Sequence, residues 1–183
     1  MRDAFGGVFT MNLLLVFIFI YVAFTAVSLN YAKAFRLKNS VIDFVEQNEI
    51  IDMNDIPSTS LKSKLDQIIN NASYNKECST INLGAYRQVG YGDELILKNK
   101  STGKVTGLCY KGVVILKNSE SKIEGTSTGI GKEAKQIHYQ IITYADWELG
   151  ALNTLLKMVG QPEEDPLKGT WTVMGDAKVV YKQ

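Results

Sequence analysis

The feature that most constrains this chain is a long stretch without charge near its start. After Arg2 and Asp3, the next charged residue is Lys33. Inside that stretch, residues 8–29 read VFTMNLLLVFIFIYVAFTAVSL, and as a helix these ~22 residues would extend about 33 Å. The hydrocarbon core of a bilayer is about 30 Å thick and is crossed by ~20 apolar residues. We therefore predict a transmembrane helix over residues 8–30.

A cleaved signal peptide is the alternative explanation of the same run. Such a peptide has a shorter apolar core followed by a cleavage site of small residues. Ala32, Lys33 and Ala34 supply a site of that form. The run is too long for a signal peptide, however, and the helical pattern continues beyond it. We therefore favour a retained anchor.

The helical pattern continues past the apolar run and becomes amphipathic. No glycine or proline occurs from Val8 to Ile51, so nothing in the sequence ends the helix before that point. Apolar residues recur on one face beyond the span, and charged and amide residues recur on the other. The apolar face consists of Tyr31, Phe35, Ile42 and Val45, extended by Leu37, Val41 and Phe44. We expect residues 31–52 to be an amphipathic extension that packs on a water-soluble domain.

The sequence pattern of the remaining residues, 53–183, predicts a short helix followed by a sheet. Ser58 or Ser60 is a suitable cap for a short helix ending near Asn71, and short runs of β-branched and aromatic residues follow. The predicted strands are 84–91, 94–99, 106–117, 136–145, and 169–174 with 178–182. Turns are expected at 98–103 and 174–176, a loop at 119–132 and a short helix at 151–159. The fold class is therefore α+β, with a long N-terminal transmembrane helix that continues as an amphipathic helix packed on a C-terminal antiparallel β-sheet.

Composition excludes several classes of function. The chain has 20 basic and 19 acidic residues, a net charge of +1, which argues against nucleic-acid binding by bulk charge. Two cysteines and one histidine exclude zinc sites made of four cysteines or of paired cysteines and histidines. We expect no metal and no cofactor.

The motifs that suggest catalysis are weak. Residues 125–132 resemble a phosphate-binding loop, but the spacing is one residue too long and Glu133 stands where Ser or Thr would hold magnesium. His138, the single histidine, lies in a strand pattern and is expected to be structural. The acidic residues 163–165 look like a solvated turn. No catalytic residue is assigned, and we expect no enzymatic activity.

Cys78 and Cys109 have two possible states. In a domain outside the cytoplasm they could form a disulfide that closes a loop of about 31 residues and stabilises the fold by roughly 3 to 4 kcal/mol. In the cytosol they would be two free thiols. We favour the disulfide on condition that the domain is exported.

The order of a very short polar leader, a hydrophobic helix, its amphipathic continuation and a C-terminal sheet resembles the type IV pilin-like proteins. The chain looks like a pilin-like or TadE-like component of a bacterial tight-adherence (Tad) pilus or a related secretion locus. The resemblance implies a leader of residues 1–7, cleavage after Gly7, and Val8 as the first mature residue. Asn12 then occupies the fifth mature position, where pilins carry a glutamate thought to neutralise a neighbouring subunit's amino terminus. Asn12 can form hydrogen bonds there but carries no charge.

The resemblance implies a function in assembly rather than in turnover chemistry. The partners would be the lipid bilayer and other pilin-like or secretion-apparatus subunits. The protein would be a single-pass protein of the cell membrane with its C-terminal domain outside the cytoplasm, at the cell surface or in a pilus. Charge alone favours the opposite side, because Lys33, Arg36 and Lys38 follow the span and only Arg2 precedes it. The alternative is a membrane-tethered binding or accessory module that never enters a filament.

Overall fold

The computed structural model describes residues 2–52, 56, 59–81, 84, 86–91, 94–123, 134–148 and 168–182. Its helices are α1, Arg2–Gln47, and α2, Thr59–Asn71, with a short 3-10 turn at Cys78–Thr80. The strands are β1, Tyr86–Tyr91; β2, Glu94–Asn99; β3, Val105–Tyr110; β4, Val113–Ile123; β5, Ala134–Glu148; and β6, Lys168–Lys182. By internal contacts the chain divides into two compact units, Met1–Ala32 with Ala145–Trp171, and Lys33–Tyr144 with Thr172–Gln183.

The sheet is a six-stranded antiparallel meander in which every strand lies beside its neighbours in sequence, in the order β1-β2-β3-β4-β5-β6. Hairpins alone can make this connectivity, because antiparallel strands need only a short turn between them. With the long helix at its start, the chain has the α+β class that the sequence predicted. The predicted turn at 98–103 is confirmed: the Asn99 carboxamide accepts hydrogen bonds from the amides of Ser101 and Thr102, at 2.8 and 3.2 Å.

Both helices of the larger unit pack on one face of the sheet. The shared cluster takes Leu37, Val41, Phe44 and Val45 from α1, Leu65 and Ile69 from α2, and Leu108, Tyr110, Ile115, Tyr139 and Ile141 from the strands. The predicted amphipathic stripe of α1 is therefore correct in kind but rotated: Phe35 is 43% exposed and Val41 fully buried. Apolar residues cover a wide arc of this half of α1, so the sequence alone does not show which of them face the sheet.

The other face of the sheet carries a second cluster, formed by Cys78, Ile81, Leu95, Leu97, Cys109, Val114, Leu116 and Ile142. Strands β3 and β4 are thus buried on both faces. That explains why residues 113–116 read as a continuous apolar run and do not alternate with polar residues.

Helix α1 ends at Gln47, earlier than the expected boundary at residue 52. The Ile50 amide donates to the Val45 carbonyl and the Glu49 amide to the Glu46 carbonyl, the two bonds of a Schellman motif. Glu49 has φ 45°, a conformation usually given to glycine. Burial of Ile50 offsets that strain, and because no glycine marks the site, the sequence gives no sign of it.

The single strand predicted over residues 106–117 is wrong. It is two strands, β3 and β4, joined by Lys111 and Gly112 with φ values of 44° and 80°. Tyr110 lies opposite Val113, so the loop has two residues. Positive φ at both positions is the mark of a type I′ turn, which usually carries Asn-Gly or Asp-Gly. Because this turn carries Lys-Gly and not one of these pairs, the sequence does not indicate it.

The turn predicted at 174–176 is also wrong, because β6 continues through it. A Cβ atom on Gly175 would lie 2.8 Å from Ile42 Cδ1 and 2.8 Å from Lys38 Cδ. The glycine therefore makes room for α1 against the strand. The Lys38 stem packs there while its ammonium lies 4.2 Å above the Phe35 ring centroid, which explains how a lysine tolerates this buried position.

The loop predicted at 119–132 is wrong in its first part. Strand β4 continues to Ile123, which pairs with Ala134 of β5, and an irregularity between Lys117 and Ser119 shifts the register of that ladder. Residues 118–121 are exposed on β4, so their polar side chains stay in contact with water while the backbone remains in the strand. Four features predicted from the sequence lie outside the described residues: the rest of this loop, the glycine-rich residues 125–132, the helix at 151–159 and the acidic residues 163–165.

Candidate membrane-anchoring site

The first half of α1 is a continuous surface of exposed apolar side chains. Phe9, Phe17 and Phe24 are 70%, 69% and 71% exposed, and most large apolar residues between them are at least 38% exposed. Gly7–Gln47 is the one helix in the described part of the chain that is long and apolar enough to span a membrane. A continuous exposed apolar surface of this kind is typical of a segment that contacts a membrane or another protein.

Two hydroxyl groups near the end of this segment are satisfied within the helix. Thr25 Oγ1 donates to the Tyr21 carbonyl at 2.9 Å, and Ser28 Oγ donates to the Phe24 carbonyl at 2.9 Å. Bonds to the carbonyl four residues earlier remove most of the cost of placing a hydroxyl in hydrocarbon. The polar residues near the end of the run therefore do not prevent insertion.

The residues expected to mark processing and assembly lie on this exposed helix. Gly7 is helical, and a Cβ atom added to it would meet nothing within 4 Å. Val8 is 62% exposed, and Asn12 is also exposed, one helical turn further along the same face. The structure thus leaves all three side-chain positions accessible, and no packing contact in the described residues explains the glycine.

Cys78 and Cys109 form a disulfide, the pairing favoured from the sequence. Their Cα atoms are 5.9 Å apart and their separation in sequence is 31 residues. The bond joins the 3-10 turn to β3 within the second apolar cluster. The Cys78 sulfur also accepts a hydrogen bond from the Gly112 amide at 3.4 Å, which ties the bridge to the β3–β4 turn.

The charged groups of the larger unit bind one another. Asp66 on α2 accepts hydrogen bonds from Lys111 Nζ and from the Tyr110 hydroxyl, both at 2.7 Å. The Lys111 ammonium, supported by Tyr110, holds the pKa of Asp66 below its ordinary value despite partial burial. This carboxylate fastens α2 to the turn between β3 and β4 and has the geometry of a structural contact.

Glu120 forms a second contact of this kind. It accepts a hydrogen bond from the Tyr181 hydroxyl at 3.0 Å and pairs with Lys117 at 3.2 Å. The Tyr181 hydroxyl and the Lys117 ammonium lower the pKa of Glu120, while burial and then Glu120 raise the pKa of Tyr181. The contact joins β4 to β6.

His138 lies on β5 opposite Ser119, as expected for a structural strand residue. Within the described ranges, no group of three or more His, Cys, Asp or Glu side chains could hold a metal ion. The sequence-derived expectations of no enzymatic activity and no cofactor stay predictions.

The smaller unit contains an aromatic group that the sequence did not predict. It consists of Trp147 on β5, Trp171 on β6 and Tyr31 on α1. The Trp147 and Trp171 ring centroids are 6.0 Å apart, and those of Tyr31 and Trp171 are 6.2 Å apart. The available signal was composition, because these are the chain's only two tryptophans. Nothing in the sequence, however, places either one beside the end of the apolar run.

Comparison of the chain with protein-family models, with curated proteins and with solved structures finds no match. The described residues form an exposed apolar helix that continues into the core of a disulfide-bonded α+β unit. This arrangement is suited to anchoring and association.

Proposed function

We propose that the protein is a membrane-anchored, pilin-like structural subunit of a bacterial pilus or secretion apparatus, which acts by assembly through its N-terminal helix. One observation carries the proposal: α1 runs without interruption from an exposed apolar half into a half that forms the domain core. A simple tether needs only a span and a linker. A continuous helix instead makes the anchoring surface part of the folded subunit, as assembly through that helix would require.

The free energy of inserting the exposed half of α1 is large enough to hold the subunit in a bilayer. Residues 8–29 include 14 Leu, Ile, Phe or Val residues. Each contributes roughly −0.3 to −0.6 kcal/mol to insertion at the centre of a helix, about −6 kcal/mol together. The same surface could later be covered by the helices of neighbouring subunits, so storage in the membrane and packing in a filament would use one set of residues.

The environment of Gly7 supports processing after this residue. A glycine within a helix costs about 1 kcal/mol relative to alanine. An added Cβ atom would meet nothing within 4 Å, so packing does not require glycine here. Cleavage by a prepilin peptidase, which cuts after glycine, supplies a reason for the residue and would make Val8 the first mature residue.

The disulfide supports a location outside the cytoplasm for the C-terminal domain. Disulfides persist in oxidising compartments and are rare in the reducing cytosol. The Cys78–Cys109 bond would therefore form after export, and the side of the membrane proposed here is the one that the pilin-like resemblance implies.

The second candidate, a membrane-tethered module that never enters a filament, is favoured by Asn12. An uncharged side chain at this position cannot neutralise the amino terminus of a neighbouring subunit. Such a protein would use the same anchor and the same exported domain, without cleavage and without polymerisation.

Processing is tested by expressing the full chain with a prepilin peptidase and sequencing the amino terminus of the membrane protein. We expect the mature protein to begin at Val8. Gly7→Leu should block cleavage, while Gly6→Leu, the matched control one residue earlier, should leave it intact. A full-length amino terminus in both the natural protein and the control contradicts processing and leaves the tethered module.

Assembly is tested in cells that carry the pilus machinery, by shearing and sedimenting surface filaments. We expect the mature protein in the sheared fraction and the Gly7→Leu variant only in the membrane pellet. Recovery of the natural protein exclusively from the membrane pellet would favour the tethered module.

A further inference from the structure

Tyr31, Trp147 and Trp171 form an aromatic cluster in the smaller unit. The Tyr31 and Trp171 rings meet edge to face at an interplanar angle of 76°, and the two indoles are tilted by 43°. Trp171 is 46% exposed and Tyr31 44% exposed, so the cluster is a surface and not a core. Exposed tryptophans are unusual on a protein surface that faces only water.

The cluster is held in place by the backbone of β6. A Cβ atom on Gly169 would lie 2.6 Å from Cζ2 and 2.8 Å from Nε1 of the Trp147 indole. Only glycine allows the ring to lie this close to the strand. The indole N–H is buried and has no hydrogen-bond acceptor among the described residues.

The surface around the cluster changes from apolar to polar over a short distance. On one side lies an apolar groove of about 590 Å³, lined by Ile20, Ala23, Phe24, Val27 and Ser28 together with the aromatic cluster. On the other lies a polar cavity of about 530 Å³, lined by Asn30, Asp146, Lys168, Gly169 and Thr170. Trp147 borders both, and Thr170 Oγ1 donates to Asp146 Oδ1 at 2.6 Å in the polar part.

This order of surfaces matches the order of layers in a phospholipid bilayer. Hydrocarbon gives way to the ester and headgroup region, where tryptophan and tyrosine rings concentrate because they have an apolar body and a polar handle. A helix from Val8 to Tyr31 rises about 35 Å, close to the thickness of one hydrocarbon core. When the apolar run spans the bilayer, the aromatic cluster therefore lies at its boundary.

We propose that the aromatic cluster is a second membrane contact, with the Trp147 and Trp171 indoles in the phospholipid interface and an acyl chain in the groove beside them. A second copy's apolar helix fits the groove less well, because it would place an apolar surface against the adjoining polar side chains, Asn30, Asp146 and Thr170. The inference rests on the anchoring part of the proposed function and is independent of cleavage and filament assembly.

The test uses the intrinsic fluorescence of the full chain reconstituted in phosphatidylcholine liposomes. Because the chain has only two tryptophans, all of its tryptophan emission reports on the cluster. Liposomes carry bromine either near the glycerol backbone or near the terminal methyl of the acyl chains. We expect the shallow bromines to quench about twofold more than the deep ones, in the natural chain and in each of the variants Trp147→Phe and Trp171→Phe.

A depth reference separates failure of this proposal from failure of the anchor. Phe19→Trp in a chain carrying Trp147→Phe and Trp171→Phe places the only indole near the middle of the span, where deep bromines should quench more. If that variant is quenched and the native tryptophans are not, the second contact is excluded and the anchor stands. If none is quenched, the anchor itself fails. Emission that follows the protein-to-lipid ratio and ignores bromine would assign the cluster to contact between copies and overturn the proposal.

Discussion

Gly112 and Gly103 both occupy turns of the sheet with positive φ, but their surroundings differ. A Cβ atom on Gly112 would lie 2.5 Å from Lys76 Cβ and 2.8 Å from the Lys76 carbonyl oxygen. The same atom on Gly103, where φ is 67°, would meet nothing within 4 Å. One glycine is therefore needed for its conformation alone, and the other for its conformation and for the approach of a neighbouring segment.

We expect Gly103→Ala to lower the free energy of unfolding by about 1 kcal/mol, the cost of a left-handed alanine. Gly112→Ala should lower it by roughly 3 kcal/mol, since overpacking against a backbone is added to the same strain. Denaturant unfolding of the full chain in detergent micelles, followed by circular dichroism, measures both. Equal losses would show that the Lys76 contact imposes no constraint.

Asp66 gives the larger unit a defined dependence on pH. The pKa of Asp66 is lowered in the folded state, first by Lys111, so its contribution to stability is present above the unfolded value of about 4. That contribution is lost as the pH falls through the folded value, because the protonated carboxyl no longer attracts the ammonium.

We expect Asp66→Asn to cost about 1 kcal/mol near neutral pH and to flatten the loss of stability below about pH 4. Asp43→Asn, an exposed change on α1, is the control for removal of one charge. Unfolding midpoints measured between neutral and acidic pH test the difference. Parallel acid profiles for the natural chain and Asp66→Asn would contradict the role of this contact.

At the scale of elements, β5 holds the segment that follows α1 through a buried hydroxyl. The Tyr139 hydroxyl donates to the carbonyls of Ile50 and Ile51 at 2.7 and 3.1 Å, and its ring is fully buried in the first cluster. Thr143, also on β5 and fully buried, donates to the Ala34 carbonyl of α1 at 2.9 Å. The Tyr139 bonds give a donor to carbonyls beyond the end of α1, and the Thr143 bond gives a buried hydroxyl an acceptor.

We expect Tyr139→Phe to lower the free energy of unfolding by roughly 2 kcal/mol, because it removes the buried hydrogen bond to the Ile50 carbonyl. Tyr181→Phe removes a hydroxyl whose partner, Glu120, is exposed to water, so its loss of stability should be much smaller. Each variant removes only the hydroxyl oxygen of one tyrosine, so their unfolding curves are directly comparable. Similar losses in both would contradict the buried tie.

The disulfide joins the 3-10 turn to the centre of the sheet. Replacing both Cys78 and Cys109 by alanine should lower the free energy of unfolding by about 3 to 4 kcal/mol, mostly because the unfolded chain regains freedom. Reduction of the natural protein is the matched comparison, since it leaves both sulfur atoms in the core. Thiol titration of denatured protein from native membranes should find no free thiol, and two thiols would contradict export of the domain.

At the scale of the whole molecule, the free energy of membrane insertion is the sum of the contributions of residues in the exposed half of α1. Substitutions that add charge to this half should therefore weaken insertion step by step. Arginine at the centre of a span costs about 3 kcal/mol, against about −6 kcal/mol for the whole run. We therefore expect Val16→Arg to weaken insertion and Val16→Arg with Ile20→Arg to abolish it, as measured by resistance to alkaline carbonate extraction.

Asn39→Arg with Gln47→Arg is the matched control. It adds the same charge to exposed positions in the second half of α1, outside the predicted span. This variant should stay in the membrane pellet. Its release together with the Val16 and Ile20 variant would indicate that total charge, and not the position of the charge along α1, governs membrane association.

The parts of the molecule that the sequence predicted by itself are those set by neighbours in the chain. The uncharged run sets the span because bilayer thickness and helix rise are fixed lengths. Periodicity identifies the amphipathic half of α1 and most strands, and a capping serine indicates the start of α2. The turn at 98–103 also follows from local residues, since Asn99 binds amides only two and three positions away.

The tertiary structure decided the features whose meaning depends on residues distant in sequence. Gly175 looks like a turn residue, yet it lies in a strand because Ile42 and Lys38 occupy the space that a side chain would fill. Helix α1 ends without glycine because burial of Ile50 compensates for the strain at Glu49. Trp147 and Trp171 acquire a shared role only when β5 and β6 bring them beside Tyr31. Local patterns encode elements, but packing between distant segments determines what each glycine and each indole does.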